Sequence, residues 1–267
     1  MLADYHIHSN FSGDSQEDLE NIIEAALGRG LVEIAITDHL DLDYPSPQTD
    51  FTLNLKEYLK VLRKLRRKYR IKIGIELGLQ PHLKDSKLLE DILHREILDF
   101  IIASTHCAQR LDFEGDDFFK GRSKESAHKI YFEEVYENIK RFDGFSVVGH
   151  LDFIKRYGKN HYKDHKLIDY GRHHEIIDKI LELIIQKGAG IEVNTSGFRY
   201  GLSEPTPGAY ILRRYRELGG RIITIGSDAH SSEDVGEDLE KAADLLKDLG
   251  YKHYCTFNNK IKIFLEL

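Results

Sequence analysis

Two periodicities alternate along the chain. Short β-rich runs occupy 2–6, 32–37, 71–77, 100–104, 146–149, 190–193 and 221–226, several of them continuous, as in IKIGIEL, IIAS and RIITIG. Such runs predict strands covered on both faces, the habit of a parallel sheet. Between them the apolar spacing lengthens to three and four residues with charge in between, in SQEDLENIIEAALGRG, LNLKEYLKVLRKLRRKYR, SKESAHKIYFEEVYENIKRF, KLIDYGRHHEIIDKILELIIQKG and DLEKAADLLKDLG. These segments predict amphipathic helices. In the first of them Ser15 and Asp18 have capping-box spacing, and Gly28 and Gly30 mark the stop. Seven strand–helix alternations without a Pro/Gly/Ser linker predict one domain over 1–267, a closed or nearly closed β/α barrel. An open doubly wound sheet is the other arrangement the pattern permits. The connection 80–99 and the polar stretch QRLDFEGDDFFKGR are the expected substrate-facing loops.

The polar residues fall at the strand ends: His6-Ile7-His8, Asp38-His39, Glu76, His106, His150, Asn194 and Asp228-Ala229-His230. In a β/α barrel the C-terminal strand ends form the rim where active sites are built. His6 and His8 flank Ile7, so a strand turns both imidazoles to one face. A histidine at one strand end is ordinary structure. Glu76 closes the apolar run IKIGIE, where burial is costly without a cation or strong hydrogen bonds. Taken together, six of the fourteen histidines share this placement with acids, which points to metal ligation. The other eight (His82, His94, His128, His161, His165, His173, His174 and His253) read as surface residues, with a substrate role left open for His161 and His165. Nitrogen and carboxylate donors without thiolates suit Zn²⁺, Mn²⁺ or Fe²⁺. Nine candidate ligands are too many for one ion and fit two or three, with Glu76 the natural bridge.

Composition narrows the function. A net charge of −7 argues against broad nucleic-acid binding, and the basic helix KVLRKLRRKYR reads as a solvated outer face. No run approaches a membrane span and no signal peptide opens the chain, so the expected compartment is the cytoplasm. Two cysteines, Cys107 and Cys255, give no disulfide framework, and Cys107 reads as a small buried hydrophobe. The pattern does not set an oligomeric state.

The ordered motifs DYHIHSNFSGD, AITDH, GIEL, STH, VGH and GSDAH resemble those of the PHP (polymerase and histidinol phosphatase) superfamily, from residue 4 to 230. HSNFSGD, HLDFIKRYG and EVNTSGFRYG are similar to its histidinol-phosphate phosphatase branch. The resemblance implies a distorted seven-stranded (β/α)7 TIM-like barrel with a trinuclear metal centre. It assigns His6, His8, Glu76 and Asp228 to a first ion, Glu76, His106 and His150 to a second, and Asp14, His39 and His230 to a third. The implied activity is hydrolysis of L-histidinol phosphate to L-histidinol and phosphate, a step of histidine biosynthesis. A metal-bridging hydroxide would attack phosphorus in line, with Glu76, Asp228 and His230 as the catalytic residues. Arg199 is the expected bidentate phosphate clamp and Arg156 the second candidate. Asp41, Asp43, Tyr44 and Glu114 are expected to meet the substrate's ammonium and imidazole. Other small phosphate esters, nucleotides or sugar phosphates, need only different loops. An exonuclease would want a basic track, an amidohydrolase a bridging lysine where Glu76 stands, and a metal-dependent binding module no turnover at all.

Overall fold

The computed structural model describes residues 2–46, 48–158, 161–162 and 168–267. In chain order the strands are β1 (Ala3–Asp4), β2 (Glu33–Ile36), β3 (His39–Asp41), β4 (Ile71–Gly78), β5 (Phe100–Ser104), β6 (Cys107–Ala108), β7 (Leu111–Asp112), β8 (Val147–Val148), β9 (Gly190–Asn194), β10 (Ile223–Gly226), β11 (His253–Asn258) and β12 (Ile261–Glu266). The seven expected runs become β1, β2, β4, β5, β8, β9 and β10, paired in that order and all parallel. β10 returns to β1 through Tyr5 N–H to Ile225 O (3.0 Å) and Asp228 N–H to His6 O (2.8 Å). The result is a nearly closed barrel. β3 continues beyond β2 and also pairs with β4, in a register that sets His39 opposite Glu76. That register carries two rim ligands on neighbouring strands.

The helices are α1 (Leu19–Gly28), α2 (Leu55–Leu65), α3 (Lys87–Leu93), α4 (Lys124–Arg141), α5 (Tyr170–Gln186), α6 (Ser196–Arg199), α7 (Ala209–Glu217) and α8 (Leu239–Asp248). Each longer helix turns its apolar stripe to the sheet; α2 buries Tyr58, Leu59, Leu62 and Leu65, each such side chain contributing about 1.5–3 kcal/mol. The basic residues of α2 stay outside, as expected of a solvated face, although Arg66 just beyond it pairs with buried Asp99 at 3.0 Å.

Three expectations need correction, and one element was not expected. Helix α1 begins at Leu19 behind Asp18, because the Ser15 hydroxyl donates to the His230 carbonyl (2.8 Å) and belongs to the rim. The connection 80–99 is no open loop: Pro81–Leu83 forms a 3₁₀ turn, and α3 buries Leu89, Ile92 and Leu93. His128 and His173 are buried on the inner faces of α4 and α5. The β11–β12 hairpin was not expected. It covers the N-terminal end of the barrel, where Phe257 packs on Phe100 (5.1 Å between ring centres) and its N–H donates to the Tyr5 hydroxyl (2.8 Å). With that end covered, the C-terminal rim is left to face solvent.

Candidate metal centre and active site

Glu76 lies at the middle of the rim, fully buried at the end of β4. Five imidazoles converge on its carboxylate. His106 Nε2 (3.1 Å) and His150 Nε2 (3.0 Å) reach Oε1; His6 Nε2 (3.1 Å), His8 Nε2 (3.5 Å) and His39 Nδ1 (3.0 Å) reach Oε2. The Ser104 hydroxyl donates to Oε1 at 2.6 Å. Burial pushes the Glu76 carboxyl up, yet the His6, His39 and His106 cations hold it well below the ordinary carboxylate range. Asp228 behaves alike: burial is outweighed by His6 and His8. His8 moves the other way, down to about 3, through burial and the nearby His230 and His39.

This packing of basic nitrogens around two carboxylates is costly without a cation, and the donor geometry fits one. His6 Nε2, His8 Nε2, His39 Nδ1 and Glu76 Oε2 are buried and make no hydrogen bond among the described residues. Donors around a tetrahedral ion with bonds of about 2.1 Å stand roughly 3.4 Å apart. His6 and His8 each stand 3.1–3.6 Å from Glu76 and Asp228, and His6, His8 and Asp228, like His39, Glu76 and His106 and like His8, His39 and His230, bring three ligand atoms within 4.8 Å of one another. Glu76 Oε1 with His106 and His150 forms a second group at 3.0–3.1 Å. Asp14 Oδ2 lies 3.0 Å from His230 Nε2 and 3.6 Å from His39 Nε2, a third. All nine expected ligands therefore fall in one cluster, five imidazoles on the Glu76 carboxylate and Asp14, Asp228 and His230 joined to it through His6, His8 and His39. His150 and Asp228 hold positive φ values, 22° and 54°, a strained backbone of the sort found where geometry serves a site.

Several residues support the ligands: Ser9, Ser12, Ser196 and Glu192 were not singled out in the sequence, while Asp38 and Asn194 stood at strand ends without an assigned role. Asp38 accepts from Ser9 N–H (2.6 Å), Ser9 Oγ and Ser12 Oγ, pinning the loop after the HxH pair, and Ser12 Oγ lies 3.1 Å from His8 Nδ1. Asn194 accepts from Ser196 Oγ (2.6 Å), which lies 3.1 Å from Asp228 Oδ2. Glu192 meets His6 Nδ1 at 2.5 Å, and Asp41 meets His106 Nδ1 at 2.5 Å. Asp41 is thus buried beneath a ligand and unavailable to substrate, contrary to expectation.

A cavity of about 280 Å³ opens above the cluster. Its wall includes Asp14, Glu76, Asp228 and His230 from the cluster, then Arg156, Tyr200, Tyr157, Glu114, Tyr44 and Phe51. The Arg156 guanidinium sits 3.3 Å from the Tyr200 ring centre, and among the described residues no carboxylate pairs with it. Arg199, the expected clamp, is not on this wall. Its guanidinium donates to Glu237 Oε2 (2.9 Å) and to the carbonyls of Ser227 (3.0 Å) and Asp228 (2.9 Å), so it braces the turn that carries Asp228. Asp43 also misses the cavity, its carboxylate bound to His82 and Arg110 at 2.8 Å each. Tyr44 and Glu114 do reach it, and Phe51, edge-on to Tyr44, is an unexpected third. His161 stacks on Phe119 outside the cavity wall, and His165 lies outside the described residues. A larger concavity of about 770 Å³, bounded by Arg29, Asp238 and Lys247, contains none of the rim ligands.

A parallel barrel with a histidine–carboxylate rim defines a metal-dependent hydrolase class, and the PHP domain model matches residues 4–196. The chain belongs to the PHP family. Among its relatives, the histidinol-phosphatase of Lactococcus lactis is 32% identical, covering 96% of this chain and 94% of that protein. The probable histidinol-phosphatase of Clostridium acetobutylicum is 29% identical over 94% of this chain and 95% of its own. The crystal structure of the Lactococcus lactis histidinol phosphate phosphatase, in complex with zinc, L-histidinol and phosphate, superposes with a TM-score of 0.88 and covers 98% of both chains.

Proposed function

We propose that this chain is a metal-dependent phosphomonoesterase that hydrolyses L-histidinol phosphate to L-histidinol and inorganic phosphate. The single observation that carries the reading is the Glu76 carboxylate, met by five imidazoles at 3.0–3.5 Å beneath a cavity whose wall bears Arg156. A TM-score of 0.88 to a phosphatase bound to zinc and both products supports it.

His6, His8, Glu76 and Asp228 would hold one divalent ion, Glu76, His106 and His150 a second, and Asp14, His39 and His230 a third, drawn from zinc, manganese or iron. Bound ions supply a water of lowered pKa as nucleophile and positive charge against the phosphoryl oxygens. The remaining work belongs to side chains. Arg156 offers a planar fork to the phosphate, its plane fixed by Tyr200. Asp228 and His230, expected as catalytic residues, flank the cavity as ligands that would fix the ions beside the phosphate, and the leaving alkoxide would take its proton from water admitted by the cavity. Glu114, Tyr44 and Phe51 set a carboxylate and two aromatic faces on the same wall, chemistry suited to the substrate's ammonium and imidazole. Unpaired, buried Cys107 and Cys255 suit a reducing compartment, and we place the enzyme in the cytoplasm.

The test is phosphate release by the full chain with Zn²⁺ or Mn²⁺ against a panel of phosphomonoesters. Histidinol phosphate should lead the panel in kcat/KM. A nucleotide or sugar phosphate turned over more efficiently would reassign the substrate.

A further inference from the structure

Ligation through Nε2 requires the proton on Nδ1, so whatever sits at Nδ1 chooses the tautomer and aims the ring. Of the six rim histidines, two carry at hydrogen-bond distance from Nδ1 a carboxylate outside the ligand set: Glu192 Oε1 at His6 and Asp41 Oδ2 at His106, each at 2.5 Å. Among the described residues His8 has only the Ser12 hydroxyl there, and His150 Nδ1 is buried without a partner.

Both carboxylates are built in the same way. The second oxygen of Glu192 accepts the His150 N–H (2.9 Å), and that of Asp41 accepts the Gly78 N–H (3.1 Å). Both are almost wholly buried. Each also fills a space that a neighbouring strand vacates by having no side chain. A Cβ on Gly78 would lie 2.0 Å from Asp41 Oδ2, and one on Gly226 would lie 2.8 Å from Glu192 Oε1. Each carboxylate is thus held by a backbone donor on one side and made room for by a glycine on another.

We infer that Glu192 and Asp41 are positioning residues that set the affinities of two different ions, Glu192 through His6 and Asp41 through His106. The inference rests on the metal reading of the rim. An amide cannot replace either carboxylate in full: it offers one acceptor oxygen where two donors, a ring N–H and a backbone N–H, must be met. Loss of such a partner weakens metal binding by about 10–100-fold.

The experiment is zinc competition against a chromophoric chelator, on the full chain, for wild type, Glu192→Gln and Asp41→Asn, alone and on His6→Ala and His106→Ala backgrounds. Each amide should weaken one binding step by about 10–100-fold. On His6→Ala, Glu192→Gln should keep at most the small effect of its His150 N–H contact while Asp41→Asn keeps its full effect, and on His106→Ala the pattern should reverse. Thermal unfolding of the metal-free variants separates this from lost packing, which would lower stability without the background dependence. Wild-type zinc affinity in both amide variants, or equal losses on both backgrounds, overturns the inference. A wild-type chain that takes up no zinc would instead overturn the metal reading itself. Should neither variant fold, proton NMR of zinc-loaded wild type decides: slowly exchanging, strongly downfield Nδ1–H signals from His6 and His106 are expected, and their absence overturns the inference.

Discussion

The arginines show how far one side chain can be read from its type. Arg199 and Arg156 follow strands in segments of similar polarity, and periodicity gives no direction for a guanidinium on a turn. The structure supplies it: Arg199 is spent on Glu237 and two carbonyls, while Arg156 lies against Tyr200 on the cavity wall. Arg156→Ala should therefore lower kcat/KM for the phosphomonoester by about 100-fold, near 3 kcal/mol, with the metal count unchanged. Arg156→Lys should recover little, because a point charge does not reproduce the fork. Arg199→Ala should act differently, loosening the Asp228 turn and lowering metal content together with kcat. Steady-state kinetics beside metal analysis of the same samples checks both. Full activity in Arg156→Ala, with the loss confined to Arg199→Ala, would restore Arg199 as the clamp. Glu76 is the simpler case: Glu76→Gln removes the charge that five imidazoles face, so bound metal and turnover should fall together in the same samples.

Among the elements, all seven barrel strands were legible in the sequence because a buried parallel strand is a run of apolar residues whatever its neighbours do. Their ligands were legible because a histidine or acid at the end of such a run stands out. Glu192 was missed although it sits inside the run GIEVN, the same signal that marked Glu76 in IKIGIE. The β11–β12 hairpin escaped for a different reason: β12 is largely exposed and follows no two-residue alternation of burial. Strand glycines were silent too, since a glycine's meaning is the space it leaves. Gly226 leaves space for His6, whose Cβ would lie 2.4 Å from an added methyl. Gly226→Ala should destabilise the fold by about 1–3 kcal/mol through overpacking, measured by chemical denaturation of metal-free protein. An unchanged midpoint would show that β1 and β10 can separate without cost.

Over the whole molecule, an acidic chain of net charge −7 gathers six imidazoles at one mouth of a barrel whose other end is covered. Without metal, the carboxylates of that cluster favour protons on several of its imidazoles. His230 shows the balance: burial lowers its pKa, but the hydrogen bond to Asp14 and the charge of Asp228 raise it to about 9. Its ordinary value is about 6.5, so at pH 8 the metal-free protein carries a proton on His230 that free histidine would have lost. A ligating nitrogen must be bare, so ion and proton compete for it. Metal binding at Asp14, His39 and His230 should therefore release protons at pH 8, and its affinity should rise with pH until His230 titrates, near 9. Calorimetric titration of zinc into metal-free protein, in two buffers of different ionisation enthalpy, counts the protons directly. Substituting Asp14→Asn should lower the His230 pKa and shrink the release, even as it removes a ligand. Zinc uptake at pH 8 with no buffer dependence of the enthalpy would mean that His230 is already bare, and that the Asp14–His230 pair is no proton store.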